Sequence, residues 1–303
     1  MRLHCGWLEK KGKTMHFIQA KSILSASNGM NIYRGCSHGC IYCDARSKCY
    51  QMDHAFEDIA VKENALELLE MELRKKRKRC MIGTGAMSDP YMHIEKELCY
   101  TCRFLELVEQ YGFGATVQTK SNMVLRDIDL IDRINRKTKF VLQMTFTTHD
   151  EELCRIVEPN VCTTRQRYEV LKECQKRGIP TVVWMCPILP YINDTMENLD
   201  GLMEYCRDAG VYGIVNFGFG LTLRDGDREY FYKNLDKYFP GLKQRYIMEF
   251  GNAYEVPSPD ASKLWYHFRD KCKEYGIEYH TDKVFAYLHE FEDKASGEQM
   301  SLF

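Results

Sequence analysis

The sequence lacks an apolar run long enough to cross a membrane. A spanning helix needs roughly 20 apolar residues, and the longest apolar stretch here, TVVWMCPILPYI, is interrupted by Pro187 and Pro190. The first residues, MRLHCGWLEKKGK, also lack the apolar core and cleavage-site pattern of a secretory signal. We therefore expect a cytoplasmic protein that does not bind a membrane.

The chain also lacks an excess of charge of either sign. It has 42 basic and 43 acidic residues, a formal net charge of -1, so nothing draws it as a whole toward nucleic acid. The basic run at 74–79 follows an acidic stretch, which is typical of a solvated helix end whose charges suit the helix dipole. Any affinity for nucleic acid would therefore have to come from a local patch.

No internal repeat or long linker divides the 303 residues. Apolar, β-branched segments alternate with amphipathic ones, which predicts a parallel sheet covered by helices, either doubly wound or curved into part of a barrel. After residue 221 the alternation ends and helical, aromatic-rich segments follow. The predicted strands are 30–35, 79–87, 114–121, 139–148, 180–188 and 211–220, and the predicted helices are 62–78, 95–111, 125–136, 164–177, 195–209, 227–238, 258–275 and 283–291.

Fourteen cysteines in a chain with no recognisable export signal should be reduced, and most should act as small core residues. Three of them, Cys36, Cys40 and Cys43, have C-x3-C-x2-C spacing directly after the first predicted strand. Three thiolates can hold three irons of a 4Fe-4S cube and leave the fourth iron open. The alternatives are a Cys3His zinc site that includes His38, or three plain thiols.

The motif NIYRGCSHGCIYC resembles that of the radical S-adenosylmethionine (SAM) superfamily, and more closely its spore photoproduct lyase-like group. The segments SDPYMHIEKE, QTKS, TTHDEELCRIVEP and PILPYIND follow in the expected order, so the resemblance covers about 20–220. It implies an α/β fold, a partial (β/α)6 TIM-like barrel of the radical SAM type. The implied divisions are an N-terminal segment (1–21), the core domain (22–220), a mainly helical extension packed on the core (221–295) and a flexible tail (296–303).

The resemblance also implies cofactors and their ligands. Cys36, Cys40 and Cys43 would bind a 4Fe-4S cluster, and SAM would chelate the open iron. Tyr42 would lie near the adenine, and Arg167 would suit the SAM carboxylate because a guanidinium pairs well with that group. The remaining predicted SAM-binding residues are Ser88, Asp89, Lys120 and Thr145, the last where a serine is more usual.

The implied activity is reductive cleavage of SAM to a 5'-deoxyadenosyl radical, which abstracts a hydrogen from a substrate. Two departures argue against thymine-photoproduct repair itself: Ala86 replaces the hydrogen-donating cysteine of that lyase, and Asp44 replaces a tyrosine. No catalytic residue is assigned. A DNA substrate, in a repair-like lyase reaction, is one hypothesis; RNA, a peptide or a small molecule is another, and a zinc-stabilised binding module is a third.

The last five residues suggest a partner. They resemble the short peptide by which bacterial DNA-processing enzymes dock on the polymerase sliding clamp, and such peptides bind in extended form through apolar anchors. A reductant such as flavodoxin or ferredoxin is also implied. Cys99 and Cys102 are expected to pack on a helix face, while Cys49 is a weak candidate for a fourth ligand. The docking residues are Gln299, Met300, Ser301, Leu302 and Phe303.

Overall fold

The structure, a computed structural model, describes residues 15–294. Its centre is a six-stranded, wholly parallel sheet in the order β2-β5-β6-β7-β8-β9. Two small sheets, β1-β4-β3 and β10-β11, stand beside it. The strands are β1 (Met15–Ile18), β2 (Gly29–Met30), β3 (Tyr33–Arg34), β4 (Ile59–Lys62), β5 (Met81–Thr84), β6 (Gly114–Thr119), β7 (Phe140–Thr145), β8 (Thr181–Trp184), β9 (Gly213–Val215), β10 (Gly220–Thr222) and β11 (Glu255–Pro257).

Helices follow the central strands in turn, as a parallel sheet requires. The Cys99 backbone adopts a left-handed conformation with φ 54° and so separates α2 from α3. Within residues 15–294, no helix has the length and apolar character that a bilayer crossing requires. The helices are α1 (Ala65–Lys75), α2 (Glu95–Leu98), α3 (Tyr100–Tyr111), α4 (Ile128–Lys137), α5 (Glu151–Val157), α6 (Thr164–Lys176), α7 (Met196–Asp208), α8 (Asp227–Tyr238), α9 (Leu242–Phe250), α10 (Ala261–Tyr275) and α11 (Thr281–His289).

The two faces of the central sheet bury different partners. Successive strand residues point to opposite faces, so Leu142 and Val183 join the large core formed with the surrounding helices. Val141 and Val182 point the other way, where Val284 of α11 packs on them. Helix α11 therefore covers part of the second face of the sheet.

The outer edge of β9 is covered by the chain itself. Gly213 forms a parallel bridge with Glu278, and the Ile214 N–H donates to the Glu278 carbonyl at 2.8 Å. At the opposite edge, β2 is only two residues long. Among the described residues, neither edge offers a long row of unpaired backbone groups.

The architecture confirms the predicted α/β class, the partial barrel and the helical C-terminal part. The domain boundaries remain predictions, and the proposed tail at 296–303, with its docking peptide, lies outside the described residues, as does most of the segment 1–21. The first predicted strand, 30–35, is divided in the structure, because β2 joins the central sheet whereas β3 pairs with β4.

Candidate active site

The three cysteines lie on one short loop, residues 35–44, here called the cysteine loop. Three hydrogen bonds to two neighbouring segments fix its backbone: the Cys36 N–H donates to the Phe56 carbonyl at 3.0 Å, the Ile41 N–H to the Val157 carbonyl at 3.0 Å, and the Asn160 N–H to the His38 carbonyl at 3.1 Å. A loop held at its start and in its middle presents its side chains in a fixed arrangement.

Gly35 allows the cysteine loop to approach its neighbour closely. Its φ of +93° is a conformation that side chains disfavour, and a Cβ there would lie 2.5 Å from the Phe56 carbonyl oxygen. The glycine is therefore required where the chain enters the loop.

The cysteine loop opens into a cavity of about 760 Å³ at the carboxyl end of the central strands. Sites for small molecules usually measure roughly 300–1,000 Å³, and the end of parallel strands is where such sites occur. The two-stranded β10-β11 sheet supplies another part of the wall. The predicted site residues that line the cavity are Cys36, Cys40, Tyr42, Cys43, Ser88, Asp89, Lys120 and Thr145.

The three thiols are close enough to influence one another. Burial raises the pKa of Cys36 to about 12, with Asp89 and Cys43 adding to the shift. Burial also raises the pKa of Cys40 and of Cys43, against a lowering effect of Lys120 on both. Without metal these groups would be neutral thiols, so metal binding has to displace their protons.

The spacing of the sulfur atoms fits a cluster better than a single ion. Four ligands of one zinc ion, each roughly 2.0–2.3 Å from the metal, crowd together, yet within residues 15–294 the three cysteines do not form a group of donor atoms within 4.8 Å of one another. Cluster thiolates bind separate irons and can stand further apart. Burial also lowers the pKa of His38, which lies 3.4 Å from the Asp89 carboxylate rather than among the sulfurs.

Lys120 places a cation beside the cysteines, at the end of β6. Burial lowers the pKa of Lys120, but Cys40 and Glu158 outweigh that effect and the pKa is raised overall. Its Nζ stands 5.9 Å from the centre of the Tyr42 ring. The ammonium therefore stays charged in the cavity, where it can attract an anionic ligand group.

Tyr42 and Arg167 meet at a buried carboxylate, Glu158. The Tyr42 hydroxyl donates to Glu158 and lies 3.0 Å from Thr147 Oγ1, and Arg167 Nη2 donates to Glu158 at 2.5 Å. The Glu158 and Arg167 side chains are both fully buried. Burial by itself would raise the pKa of Glu158, but Arg167 and Lys120 hold that pKa below its usual range.

Arg167 does not line the cavity. Its guanidinium also donates to the carbonyl oxygens of Lys120 and Thr145, at 3.1 and 2.9 Å. It therefore ties the ends of β6 and β7 together from behind the cavity wall. A direct contact with the SAM carboxylate stays a prediction, and this geometry does not favour it.

Ser88 and Asp89 connect the cysteine loop to the carboxyl end of β6. The Ser88 hydroxyl donates to the Gly35 carbonyl at 2.5 Å. The Asp89 carboxylate accepts from the Thr119 hydroxyl and from the Lys120 N–H, both at 2.7 Å. These bonds connect the cysteine loop to β6, so both residues position the site as well as line it.

Several cavity residues were not predicted from the sequence. Cys186 follows β8 and faces the cavity, and three aromatic side chains, Trp184, Phe217 and Tyr254, line its outer part. Phe217 is 66% exposed, and its ring centre lies 5.9 Å from that of Trp184. Glu158 belonged to a recognised motif, but nothing in the sequence showed that it pairs with Tyr42 and Arg167.

The other cysteines considered as ligands lie elsewhere. Cys49 is exposed and lies 3.1 Å from Arg224 Nη1. Cys102 on α3 packs against the large core, whereas Cys99 lies between α2 and α3 with its sulfur 4.0 Å from Arg126 Nη1. None of the three lines the cavity.

Comparison with protein families identifies the chain. A family model described as the radical SAM superfamily matches residues 30–206, more than half of the sequence. The chain belongs to the radical SAM superfamily. This superfamily uses a 4Fe-4S cluster and SAM, which are the cofactors predicted from the sequence. The buried thiols and the cavity beside them fit that pair.

Relatives of this radical SAM protein occur in distant organisms. An uncharacterised protein of Mycobacterium tuberculosis is 29% identical over 250 residues, 78% of this chain and 73% of the relative. An uncharacterised protein of Acidianus two-tailed virus is 27% identical over 221 residues, 68% of this chain and 71% of the relative.

Solved structures support the radical SAM fold. A mutant of spore photoproduct lyase superposes with a TM-score of 0.60 at 13% identity, covering 86% of this chain and 79% of that one. The radical SAM methyltransferase TsrM from Kitasatospora setae gives a TM-score of 0.53 at 12% identity, covering 82% and 52%. At such low identities the likeness shows the fold alone.

Proposed function

We propose that this chain is a radical SAM enzyme that cleaves SAM reductively and abstracts a hydrogen atom from a substrate held in the cavity. The observation that carries the proposal is the cysteine loop, which presents Cys36, Cys40 and Cys43 to the same cavity as Lys120. The bound cluster and SAM supply the radical chemistry. The protein has to bind SAM and the substrate, orient them and shield them from water.

The chain offers a group for each of these tasks. Lys120 provides a fixed positive charge for the anionic end of SAM, and the Tyr42 ring, held through Glu158, provides an apolar wall. The β10-β11 sheet closes part of the cavity wall, which would limit the entry of water that quenches reactive species. Asp44 Oδ1 is buried without a hydrogen bond, and Arg224 Nε lies 3.7 Å from it. This oxygen can therefore accept a hydrogen bond from a polar group of the ligand.

We further propose a nucleic-acid base, most simply in DNA, as the substrate. The aromatic side chains Trp184, Phe217 and Tyr254 at the outer part of the cavity support this, because flat rings stack on unpaired bases. Ala86 lies on the cavity wall where a cysteine serves the photoproduct lyase, which supports a reaction different from photoproduct repair. RNA, peptides and small molecules are the competing substrates in any assay.

The Cys40→Ala variant tests the proposal. Anaerobically reconstituted wild type should bind about four irons per chain and form 5'-deoxyadenosine from SAM when reduced. Cys40→Ala should lose the cluster and this activity while keeping its helical content, because the cysteine loop is added to a complete sheet and helix core.

Cys186→Ala is the matched control, since Cys186 also faces the cavity but lies outside the triad. It should keep the iron. An unchanged yield of 5'-deoxyadenosine from Cys40→Ala, or equal iron loss in both variants, would contradict the assignment.

A further inference from the structure

A second group of metal-binding side chains lies outside the cavity. His16 is on β1, Asp58 directly precedes β4, and His54 lies in the loop that leads to β4. One ring nitrogen of each histidine and one carboxylate oxygen of Asp58 lie within 4.8 Å of one another. None of the three residues lines the cavity.

The pairing of two parallel strands brings these residues together. His16 stands opposite Ala60 in the register between β1 and β4, two residues beyond Asp58. His16 Nδ1 is 3.1 Å from Asp58 Oδ2. The His54 ring meets the His16 ring edge to face, with centres 4.9 Å apart.

The hydrogen bonding of His54 suits a metal ligand. Its Nδ1 lies 3.0 Å from the Ala55 carbonyl, which can only accept a hydrogen bond, so Nδ1 carries the proton. Its Nε2 is then a lone-pair donor, and it is buried without a hydrogen-bond partner. Histidines that bind metals usually donate their other N–H to a carbonyl or carboxylate in this way, and an unpaired buried polar atom is costly.

We propose that His16, His54 and Asp58 bind a divalent transition-metal ion of the zinc type. Two imidazoles and a carboxylate are ligands that zinc accepts, with a water in the fourth position. The carboxylate offsets part of the charge of the ion.

The bound ion would connect β1 to residues 54–58, the segment that is hydrogen-bonded to the cysteine loop. Phe56 lies between His54 and Asp58, and its carbonyl accepts the hydrogen bond from the Cys36 N–H at 3.0 Å. An ion bound at this point would stabilise the backbone at Cys36, the first cluster cysteine. Its role is structural and does not depend on the proposed reaction.

Zinc binding to the full-length protein with its cluster loaded tests the proposal. After incubation with zinc and desalting, metal analysis should give one zinc per chain beside the iron. Zinc-edge X-ray absorption should show nitrogen and oxygen neighbours at about 2.0 Å, whereas zinc in the cysteine loop would show sulfur at about 2.3 Å. At hundredfold excess over its Kd, zinc should raise the Tm by roughly 4 °C.

Variants separate this site from adventitious binding. His54→Ala should lose the zinc and its Tm shift, and Asp58→Asn should weaken binding at least tenfold even if the first variant folds poorly. His289→Ala removes an exposed histidine on α11 and should bind zinc like the wild type. Absence of zinc from the wild type, a sulfur shell, or equal binding by all variants would overturn the proposal.

Discussion

Glu158 is the residue on which the wall of the site depends. It is fully buried, accepts hydrogen bonds from Tyr42 and Arg167, and has Lys120 as a second nearby cation. Removing one partner of a buried ion pair leaves the other charge uncompensated, whereas removing both is far less costly.

Glu158→Gln should therefore lower the free energy of unfolding by about 3–5 kcal/mol, because Arg167 would lose its carboxylate partner while remaining buried. The double variant Glu158→Gln, Arg167→Met should lose less than the sum of the two single changes. Urea unfolding of the four proteins measures this coupling.

Glu173→Gln is the control, since Glu173 pairs with Arg177 at the surface. It should change the free energy of unfolding by less than about 1 kcal/mol. A coupling near zero for the buried pair would show that the two charges do not depend on each other.

The residue types at the site were readable from the sequence, but their partners were not. The C-x3-C-x2-C spacing placed three thiols in one loop, and the loop does open into the cavity. Arg167 was expected to face SAM because a guanidinium pairs well with a carboxylate, yet its side chain turns behind the wall toward Glu158. The direction of a side chain depends on packing between distant segments, which a local pattern does not contain.

At the scale of elements, the entry to the cysteine loop is a tightly constrained point. Gly35 has φ +93°, and any Cβ there would meet the Phe56 carbonyl. The same carbonyl accepts the hydrogen bond from Cys36, so a displacement at Gly35 also moves the first cluster ligand.

Gly35→Ala should reduce both iron content and stability, because the strain of about 1 kcal/mol for the backbone conformation adds to the clash. Gly178→Ala is a suitable comparison, since Gly178 has φ +65° with no atom within 4 Å of the added Cβ. Gly178→Ala should lose only the stability that the backbone strain costs, and it should keep its iron. Iron analysis and urea unfolding distinguish the two, and equal iron content in both would contradict the argument.

Periodicity predicted the main elements of the core but not its interruptions. The helix expected at 95–111 is broken at Cys99, where the backbone turns left-handed. Helix α5, seven residues long, was missed because so short a segment shows little period. Strands β1 and β4 were also missed, since their pairing depends on contacts between segments more than 40 residues apart.

At the scale of the whole molecule, net charge gives no attraction to DNA, so binding to the proposed DNA substrate would depend on a local patch or on a docking partner. The proposed sliding-clamp peptide, 299–303, would serve that purpose. Replacing Leu302 and Phe303 with alanine should abolish clamp binding, because both apolar anchors are lost. Surface plasmon resonance on an immobilised bacterial clamp measures the effect.

Ser301→Ala, which keeps both anchors, should bind within a few-fold of the wild type, and all three proteins should form equal amounts of 5'-deoxyadenosine without DNA. If the variant without both anchors still bound the clamp, residues 299–303 would not be a docking peptide. One reason for preferring a DNA substrate would then be lost.

The covered edge of β9 also bears on how these chains behave at high concentration. Exposed strand edges are templates on which a second chain can extend a sheet and start an aggregate. Here the bridge between Gly213 and Glu278 covers the edge at β9. The strand at the other edge, β2, is only two residues long. The central sheet is thereby protected against growing from one molecule into the next.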